Sequence, residues 1–225
     1  MVNLMKLKGV IFDLDGVVVD TVPLHFKAWK QMFEEYGKTF SFEDYKKKVD
    51  GIPRIDGARA ILSDLSDRKL RKAAEKKQKY YLGFLNQKGV KVYQDTLELT
   101  KKLREKGAKI AVISSSKNCR YVLRKAGVNK FIDVIIDGNE ITKGKPDPQI
   151  FLIALQRLGL KPNECIVFED SKLGVSASKS ANIFTIGVDR YEDPQRFTGV
   201  DLIIKNLSEL SGKEKWGWWI SGEQN

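Results

Sequence analysis

From about residue 92 onward the sequence alternates between short apolar runs and stretches with helical spacing, which restricts the fold more than any other feature. Apolar runs of strand length occur at residues 8–14, 109–114, 134–136, 165–168, 184–188 and 202–204. Helical spacing separates the later runs, at residues 97–106, 118–126, 149–158 and 171–180. Strands that alternate with helices predict an α/β fold, in which a parallel sheet carries helices on both faces.

The stretch after the first predicted strand interrupts this alternation. Residues 21–91 are rich in lysine and mostly helical in spacing, and His25 and Trp29 share the apolar face of a predicted helix at 23–36. We therefore predict a Rossmann-like core made of residues 1–20 and 92–225, with residues 21–91 inserted as a helical cap. Right-handed crossovers would place the carboxyl ends of the core strands along one edge, where open sheets bind ligands.

Composition restricts the class of protein. With 42% hydrophobic residues, the chain can bury a large core. No apolar run approaches the roughly 18 residues that cross a bilayer, and residues 1–8 lack the pattern of a secretory signal. Cys119 and Cys165 are the only cysteines, too few for a disulfide framework. We therefore expect a cytoplasmic protein without a membrane partner.

The net charge of +11 has two interpretations. Lysine and arginine concentrate at residues 46–48, 68–79 and 101–104, interleaved with glutamate and apolar residues, as on a solvated helix face. The alternative is a module that binds nucleic acid or an acidic partner. No zinc-finger spacing, basic zipper or aromatic RNA-binding signature accompanies the charge, so we expect no nucleic-acid partner.

Two carboxylates close the first predicted strand. Asp13 and Asp15 are two residues apart, so their side chains leave an extended chain on the same side. Like charges this close repel each other in a partly buried site, and a divalent cation would relieve the repulsion. Oxygen ligands favour Mg²⁺. Gly16 would allow a sharp turn and the close approach of a phosphate, although an acidic turn that caps the next helix is the alternative.

Hydroxyl and amide groups follow the predicted strand at 109–114. Ser114, Ser115, Ser116 and Asn118 stand at its end, where a helix begins. Such groups can hold phosphate oxygens at a helix amino terminus. Ordinary capping of the helix by Ser116 is equally compatible with the sequence.

Charged residues occur at two further positions of the same kind. Lys145 precedes a predicted helix in a proline-rich turn, where its ammonium could balance the charge of a nucleophile and a phosphate. Glu169 and Asp170 follow the strand at 165–168 and could complete a metal site. A surface lysine is the alternative for Lys145 alone. The order of these groups on successive strand ends favours phosphate chemistry.

The DxDG run, a hydroxyl residue, a lysine and an acidic pair, in this order, resemble the four motifs of the haloacid dehalogenase superfamily from residue 8 to about residue 205. The resemblance implies that Asp13 attacks phosphorus and forms an aspartyl-phosphate, with Asp15 as general acid and base. It also implies that Ser114 binds the phosphoryl oxygens and that Lys145 screens charge.

The same resemblance implies a Mg²⁺ cofactor. Its ligands would be the Asp13 side chain, the Asp15 backbone carbonyl and Asp170, with Glu169 nearby. A general acid must be protonated when it delivers its proton, so this role predicts that the surroundings raise the pKa of Asp15.

Within the superfamily, the chain most resembles the β-phosphoglucomutase group. The residues that carry this resemblance are Thr21, His25, Gly51, Arg54, Lys77 and the run from Ser114 to Asn118. The resemblance implies that Arg54 binds the distal phosphate of a small phosphorylated sugar. It also implies that His25 positions Asp15 and couples closure of the cap to binding. A packed core histidine is the alternative for His25.

Two residues depart from the mutase pattern. Asp50 stands where these mutases commonly carry lysine, and Gly57 stands where they usually carry serine. An acidic side chain at residue 50 would repel an anionic substrate unless a lysine at 46–48 compensates. The overall resemblance favours a hexose-phosphate mutase, and these two departures keep a sugar-phosphate phosphatase open as the alternative.

A run of tryptophans lies near the carboxyl end, at residues 216–220. It could cover an edge of the core, form an exposed patch or support a dimer. We expect a monomer.

Overall fold

In the computed structural model, which describes residues 7–210, one parallel sheet has the strand order β3-β2-β1-β4-β5-β6. The strands are β1 (Gly9–Asp13), β2 (Lys109–Ile113), β3 (Val134–Ile136), β4 (Cys165–Glu169), β5 (Phe184–Val188) and β6 (Leu202–Ile204). The predicted α/β class is confirmed, because the strands form a parallel sheet and alternate with helices along the chain. The central strands β1 and β4 are buried throughout, as their continuous apolar runs require.

Helices flank this sheet and also form the segment that follows β1. In chain order the α-helices of the described residues are α1 (Val22–Glu34), α2 (Phe42–Asp44), α3 (Arg54–Ile61), α4 (Asp67–Lys88), α5 (Gln94–Glu105), α6 (Cys119–Ala126), α7 (Gln149–Leu158) and α8 (Lys172–Ser180). A π-helix spans Tyr45–Val49, and 3₁₀ turns occur at Asn129–Phe131, Pro162–Glu164, Pro194–Phe197 and Leu207–Leu210.

The two faces of the sheet bury different apolar clusters. Val10 and Phe12 of β1 belong to a cluster that includes Leu103 of α5 and Leu123 of α6. Ile11, between them, belongs to a second cluster that includes Phe151 of α7 and Ala177 of α8. Successive side chains of a strand leave opposite faces, so β1 joins both halves of the core.

Residues 22–88, which we call the helical segment, have an apolar cluster of their own. Trp29, Met32 and Phe33 of α1 pack there with Leu70 and Ala73 of α4. Helix α1 has a proline in its first turn, where the backbone amides need no partner within the helix. The helix predicted at 23–36 is therefore present.

The basic runs lie mostly on exposed helix faces. Every lysine and arginine of the run at 68–79 is exposed except Lys77, which retains 2% of its accessible surface. Lys47 and Lys48 form ion pairs four residues back along the chain with Glu43 and Asp44. The interpretation of these runs as solvated faces fits this arrangement.

Strand register brings the predicted motifs to one edge of the sheet. Asp13 pairs with Ile113, the residue before Ser114, while its neighbour Phe12 pairs with Phe168, the residue before Glu169. The carboxyl ends of β1, β2 and β4 therefore lie side by side. In residues 7–210 no helix is both long and apolar enough to cross a membrane. The tryptophan run at 216–220 lies outside the described residues.

Candidate active site

Asp13 lies at the end of β1 in a buried cluster of charges. The Lys145 ammonium donates hydrogen bonds to Asp13 Oδ1 at 2.6 Å and to Glu169 Oε2 at 2.7 Å. Burial raises the pKa of Asp13 well above its usual range, repulsion from Glu169 adds to this effect, and Lys145 offsets part of it. Burial acts to lower the pKa of Lys145, but Asp13 and Glu169 outweigh it, so Lys145 stays protonated.

Asp15 faces a different set of partners. The Thr21 hydroxyl donates a hydrogen bond to Oδ1, and the Ser114 hydroxyl donates one to Oδ2 at 3.3 Å. His25 Nε2 also lies 3.3 Å from Oδ1, although its geometry is not that of a hydrogen bond. Burial acts to raise the pKa of Asp15, but His25, Thr21 and Lys77 outweigh it, so the pKa falls below its usual value. The expectation of a raised pKa was therefore wrong for the enzyme without substrate.

His25 connects Asp15 to Lys77. Lys77 Nζ lies 2.8 Å from His25 Nδ1, and the His25 ring stacks on Tyr81 with centroids 4.0 Å apart. Burial, with repulsion from Lys77, lowers the pKa of His25, so the ring is neutral at pH 7. An ammonium can only donate, so a charged Lys77 fixes Nδ1 as the acceptor and leaves the imidazole proton on Nε2, towards Asp15.

Lys77 is itself strongly perturbed. Burial lowers its pKa to about 7, with further repulsion from Arg54. Its ammonium lies 5.0 Å from the ring centroid of Trp29 and 5.1 Å from that of Tyr81. Contacts of this kind favour the charged form, since aromatic faces attract cations.

Three carboxylates form a group suited to a metal ion. Oxygen atoms of Asp13, Glu169 and Asp170 all lie within 4.8 Å of one another, and all three residues are buried. Burial and repulsion from Glu169 raise the pKa of Asp13, so a cation bound here would favour its ionised form. Hard oxygen donors and an excess of negative charge fit Mg²⁺. A β-carbon at Gly16 would lie 2.0 Å from Asp170 Oδ2, so glycine allows the close approach of these two residues.

The serines after β2 lie at the same edge of the sheet. Ser114, Ser115 and Ser116 line the cavity above Asp13. Ser115 Oγ donates to the Gly51 carbonyl at 2.9 Å, which joins the sheet edge to the helical segment. The alternative role of Ser116 as the helix cap is wrong, because Asn118 is the residue that flanks the start of α6; Ser116 Oγ instead accepts from the amide of Asn118 at 3.2 Å in the turn before the helix.

Three of the predicted substrate-binding residues do not line the cavity. Asn118 pairs its side-chain amide with Gln78 of α4. Thr21 is fully buried behind Asp15, and Gly16 lies behind Asp170. Thr21 and Asn118 instead form hydrogen bonds with the side chains of Asp15 and Gln78.

The cavity lies between the sheet edge and the helical segment, and its empty space, including solvent at its mouth, is about 600 Å³. From the helical segment it is lined by the predicted residues His25, Gly51, Arg54 and Lys77.

Several residues that line the cavity were not predicted from the sequence, and one was predicted only to pack in the core. Tyr45, Ile52 and Ser171 also line the cavity, as does Trp29, whose predicted role was packing alone. Ser171 caps α8 and donates its hydroxyl to Glu169 Oε1 at 2.7 Å. Its place directly after the acidic pair was a signal that could have identified it.

Arg190 was also missed. Its Nε donates to the Gly16 carbonyl at 3.0 Å, and its guanidinium carbon lies 3.7 Å from the ring centroid of Tyr93. The same guanidinium forms an ion pair with Asp95 at 3.1 Å. No local sequence signal links residues 16 and 190, since 174 positions separate them.

Residues 10–188 match the family described as haloacid dehalogenase-like hydrolase. The chain belongs to this family. The phosphorylated carbohydrates phosphatase of Thermotoga maritima is 38% identical over 183 residues, which cover 79% of this chain and 82% of that protein. The β-phosphoglucomutase of Bacillus subtilis is 33% identical over 215 residues, which cover 91% of this chain and 92% of that protein.

Solved structures of the family share the fold. A β-phosphoglucomutase from Clostridium difficile superposes with a TM-score of 0.84 at 27% identity, covering 96% of this chain and 99% of that chain. The resemblance drawn from the four motifs is thus confirmed, and the protein is an enzyme of the haloacid dehalogenase-like hydrolase family.

Proposed function

We propose that this enzyme is a Mg²⁺-dependent phosphatase of small sugar phosphates that acts through an aspartyl-phosphate on Asp13. The observation that carries the proposal is the buried cluster of Asp13, Lys145, Glu169 and Asp170, with Asp15 beside it. A relative with 38% identity is a phosphatase of phosphorylated carbohydrates. Uncatalysed hydrolysis of phosphate monoesters is extremely slow, and a covalent intermediate divides it into two easier steps.

In the first step, an Asp13 oxygen forms a bond to phosphorus while the bond from phosphorus to the sugar oxygen breaks. Asp15 gives its proton to that oxygen. In the second step, water attacks phosphorus, Asp15 takes the proton, and the Asp13 carboxylate leaves with both electrons of its bond. Asp15 is ionised in the free enzyme, and the negative charge of an arriving phosphate would favour its protonation.

Mg²⁺ would be held by Asp13, Asp170 and the Asp15 backbone carbonyl, near Glu169, and would neutralise charge on the phosphoryl oxygens. Lys145 supplies a second, permanent positive charge beside Asp13. Ser114 would donate a hydrogen bond to a phosphoryl oxygen, since this residue lines the cavity and its hydroxyl lies 3.3 Å from Asp15 Oδ2.

We also propose that residues 21–91 act as a cap that closes over a sugar phosphate and excludes solvent. Arg54 and Lys77 would provide positive charge above the substrate. Burial lowers the pKa of Arg54, which fits a guanidinium taken partly out of water. Residues 1–20 and 92–225 would form the catalytic core, and the enzyme would act as a cytoplasmic monomer.

The second candidate is the hexose-phosphate mutase favoured by the sequence. The relative from Bacillus subtilis, which matches over 91% of this chain, supports it. A mutase must return the phosphoryl group to a second hydroxyl before water reaches the aspartyl-phosphate. We place hydrolysis first because Asp50 lines the cavity, where a bisphosphate intermediate would have to bind.

A paired assay with Mg²⁺ distinguishes the candidates. One arm measures phosphate released from a panel of hexose and polyol monophosphates. The other follows conversion of β-glucose 1-phosphate to glucose 6-phosphate after addition of a trace of glucose 1,6-bisphosphate. Stoichiometric phosphate release supports the phosphatase, whereas isomer conversion without net release would overturn it in favour of the mutase.

The nucleophile is tested separately. Asp13→Asn should abolish turnover while the protein stays folded, because the amide cannot displace the leaving oxygen. Asp64→Asn, which changes an exposed carboxylate of the helical segment, is the matched control and should keep full activity. Turnover by Asp13→Asn at the wild-type rate would contradict the assignment.

A further inference from the structure

The chain turns sharply after β1, over residues 14–19, which we call the nucleophile turn. The Gly16 amide donates to the Val19 carbonyl at 2.9 Å, and the Val19 amide donates to the Leu14 carbonyl at 3.0 Å. Gly16 has a φ of +83°, which glycine adopts readily. Because Asp15 belongs to this turn, the shape of the turn decides where the Asp15 carboxylate lies.

Three successive carbonyl groups of the nucleophile turn accept hydrogen bonds from residues outside it. The donors are Arg190 Nε to Gly16 at 3.0 Å, Thr96 Oγ1 to Val17 at 2.7 Å and the Tyr93 amide to Val18 at 3.0 Å. All three acceptor residues are buried, and a buried carbonyl that loses its donor is costly. The turn is therefore fixed from outside as well as by its own hydrogen bonds.

Arg190 joins the three donors to one another. Its Nη2 donates to Thr96 Oγ1 at 3.2 Å, while its guanidinium carbon lies 3.7 Å from the ring centroid of Tyr93. A guanidinium has five donors in one plane and can bind several acceptors at once, whereas an ammonium carries its three donors on a single atom. This one side chain thus binds the turn directly through Gly16 and contacts both residues that bind the next two carbonyl groups.

The position of Arg190 is itself well defined. Its side chain is 11% exposed and pairs with Asp95, whose Oδ2 also accepts the Leu207 amide at 2.7 Å. Arg190 lies two residues after β5, and the residue between them, Asp189, donates its amide to the Ile204 carbonyl of β6 at 2.7 Å. The guanidinium is therefore held between the sheet and the start of α5, where it can support the turn.

Arg190 does not line the cavity in which the substrate would bind. Among residues 7–210, those that line this cavity include Asp15 but not Arg190. The Asp15 carboxylate accepts its hydrogen bonds from Thr21 and Ser114. Any effect of Arg190 on a reaction in the cavity must therefore pass through the nucleophile turn.

We infer that Arg190 is a positioning residue, which holds the nucleophile turn and so keeps Asp15 where it can give and take a proton. The inference rests on the proposed function, in which Asp15 protonates the sugar oxygen as its bond to phosphorus breaks. Without Arg190 the turn can shift, and a displacement of about 1 Å at a catalytic group can cost about a hundredfold in rate. Proton transfer should suffer more than phosphate binding.

The test compares two substrates that differ in their need for a proton. The oxygen of a sugar must be protonated as it leaves, whereas para-nitrophenolate is a stable anion that leaves without a proton. For the wild type and Arg190→Met, kcat/KM is measured with Mg²⁺ for phosphate release from glucose 6-phosphate and from para-nitrophenyl phosphate. This parameter includes departure of the leaving group but not the later attack of water. The ratio of the sugar value to the aryl value should fall about tenfold or more in Arg190→Met.

Two further variants show whether the guanidinium itself is needed. Arg190→Lys keeps a positive charge for Asp95 but cannot bind the same acceptors at once, so its ratio should stay low. Arg104→Met is the matched control, because Arg104 also joins a backbone carbonyl and a carboxylate, those of Phe131 and Asp133, at 3.1 and 2.8 Å. It should leave the ratio unchanged. A wild-type ratio in Arg190→Met would overturn the positioning role, because a purely structural loss lowers both values equally.

A second arm does not depend on catalysis. Hydrogen exchange, followed by mass spectrometry, should be about tenfold faster in Arg190→Met for peptides that cover residues 14–19 and unchanged for peptides from α4. Urea unfolding checks that the variant is folded. Unchanged exchange in the turn would overturn the inference and leave the phosphatase proposal intact. If the wild type hydrolyses neither compound, the phosphatase proposal fails, and exchange alone then decides whether Arg190 holds the turn.

Discussion

Replacing Lys77 with methionine removes a buried ammonium and keeps most of the side-chain volume. A fall in the pKa of Lys77 from 10.5 to about 7 corresponds to roughly 5 kcal/mol of unfavourable burial, since each pKa unit equals 1.36 kcal/mol. The contacts with Trp29 and Tyr81 offset about 1–2 kcal/mol of this cost. We therefore expect Lys77→Met to be more stable than the wild type by roughly 3 kcal/mol at pH 6, where Lys77 is charged.

The pH dependence of the unfolding free energy tests whether the buried charge of Lys77 causes this difference in stability. The pKa of Lys77 is lower in the folded protein, so the unfolded chain binds more protons between about pH 7 and 10.5, and wild-type stability rises through that range. The difference between the variant and the wild type should shrink by about 3 kcal/mol from pH 7 to 9.5. The pKa of Tyr81 is raised, and those of Asp15 and His25 are lowered, so these neighbours titrate outside this range.

Urea unfolding at pH 6, 7, 8 and 9.5 measures the effect as a free energy of unfolding. Lys79→Met removes an exposed lysine from the same helix and serves as the matched control. Its stability should follow that of the wild type at every pH. Parallel curves for Lys77→Met and the wild type would refute a buried ammonium with a lowered pKa.

Two further changes test packing and metal binding. Gly57→Ser should destabilise the fold by about 1–3 kcal/mol in urea unfolding, because the new β-carbon meets the Trp29 ring. Adding Trp29→Phe should reduce that cost. A Gly57→Ser variant as stable as the wild type would show that the space for the side chain exists. Mg²⁺ should raise the melting temperature of the wild type, and Asp170→Asn should weaken Mg²⁺ binding about tenfold or more in calorimetry. Equal Mg²⁺ affinities would argue against Asp170 as a ligand.

The catalytic edge was predictable because parallel strands end together. Asp13, Ser114 and Glu169 each follow or close an apolar run, so local sequence was sufficient to place them side by side. The raised pKa expected for Asp15 was wrong because its partners come from α1 and α4, and their convergence on one carboxylate has no local signature.

In the helical segment, the spacing of apolar residues predicts some structural features and fails to predict others. The buried positions Leu70, Ala73, Ala74, Lys77 and Tyr81 share one face of α4, so helical periodicity alone would have identified Lys77 as the inward lysine of its run. Periodicity was no guide to the π-helix, which determines where Tyr45 and Asp50 point. The start of α5 at Gln94, before the predicted residue 97, was missed because residues 94–96 are polar.

The link between Arg190 and Gly16 has a practical consequence for shortened versions of this chain. A polypeptide that stopped at Val188, where β5 and the family match both end, would keep every proposed catalytic residue. It would lose the guanidinium that binds the carbonyl of Gly16. We expect such a trimmed protein to hold its nucleophile turn less firmly, so the shortest useful version must extend past Arg190.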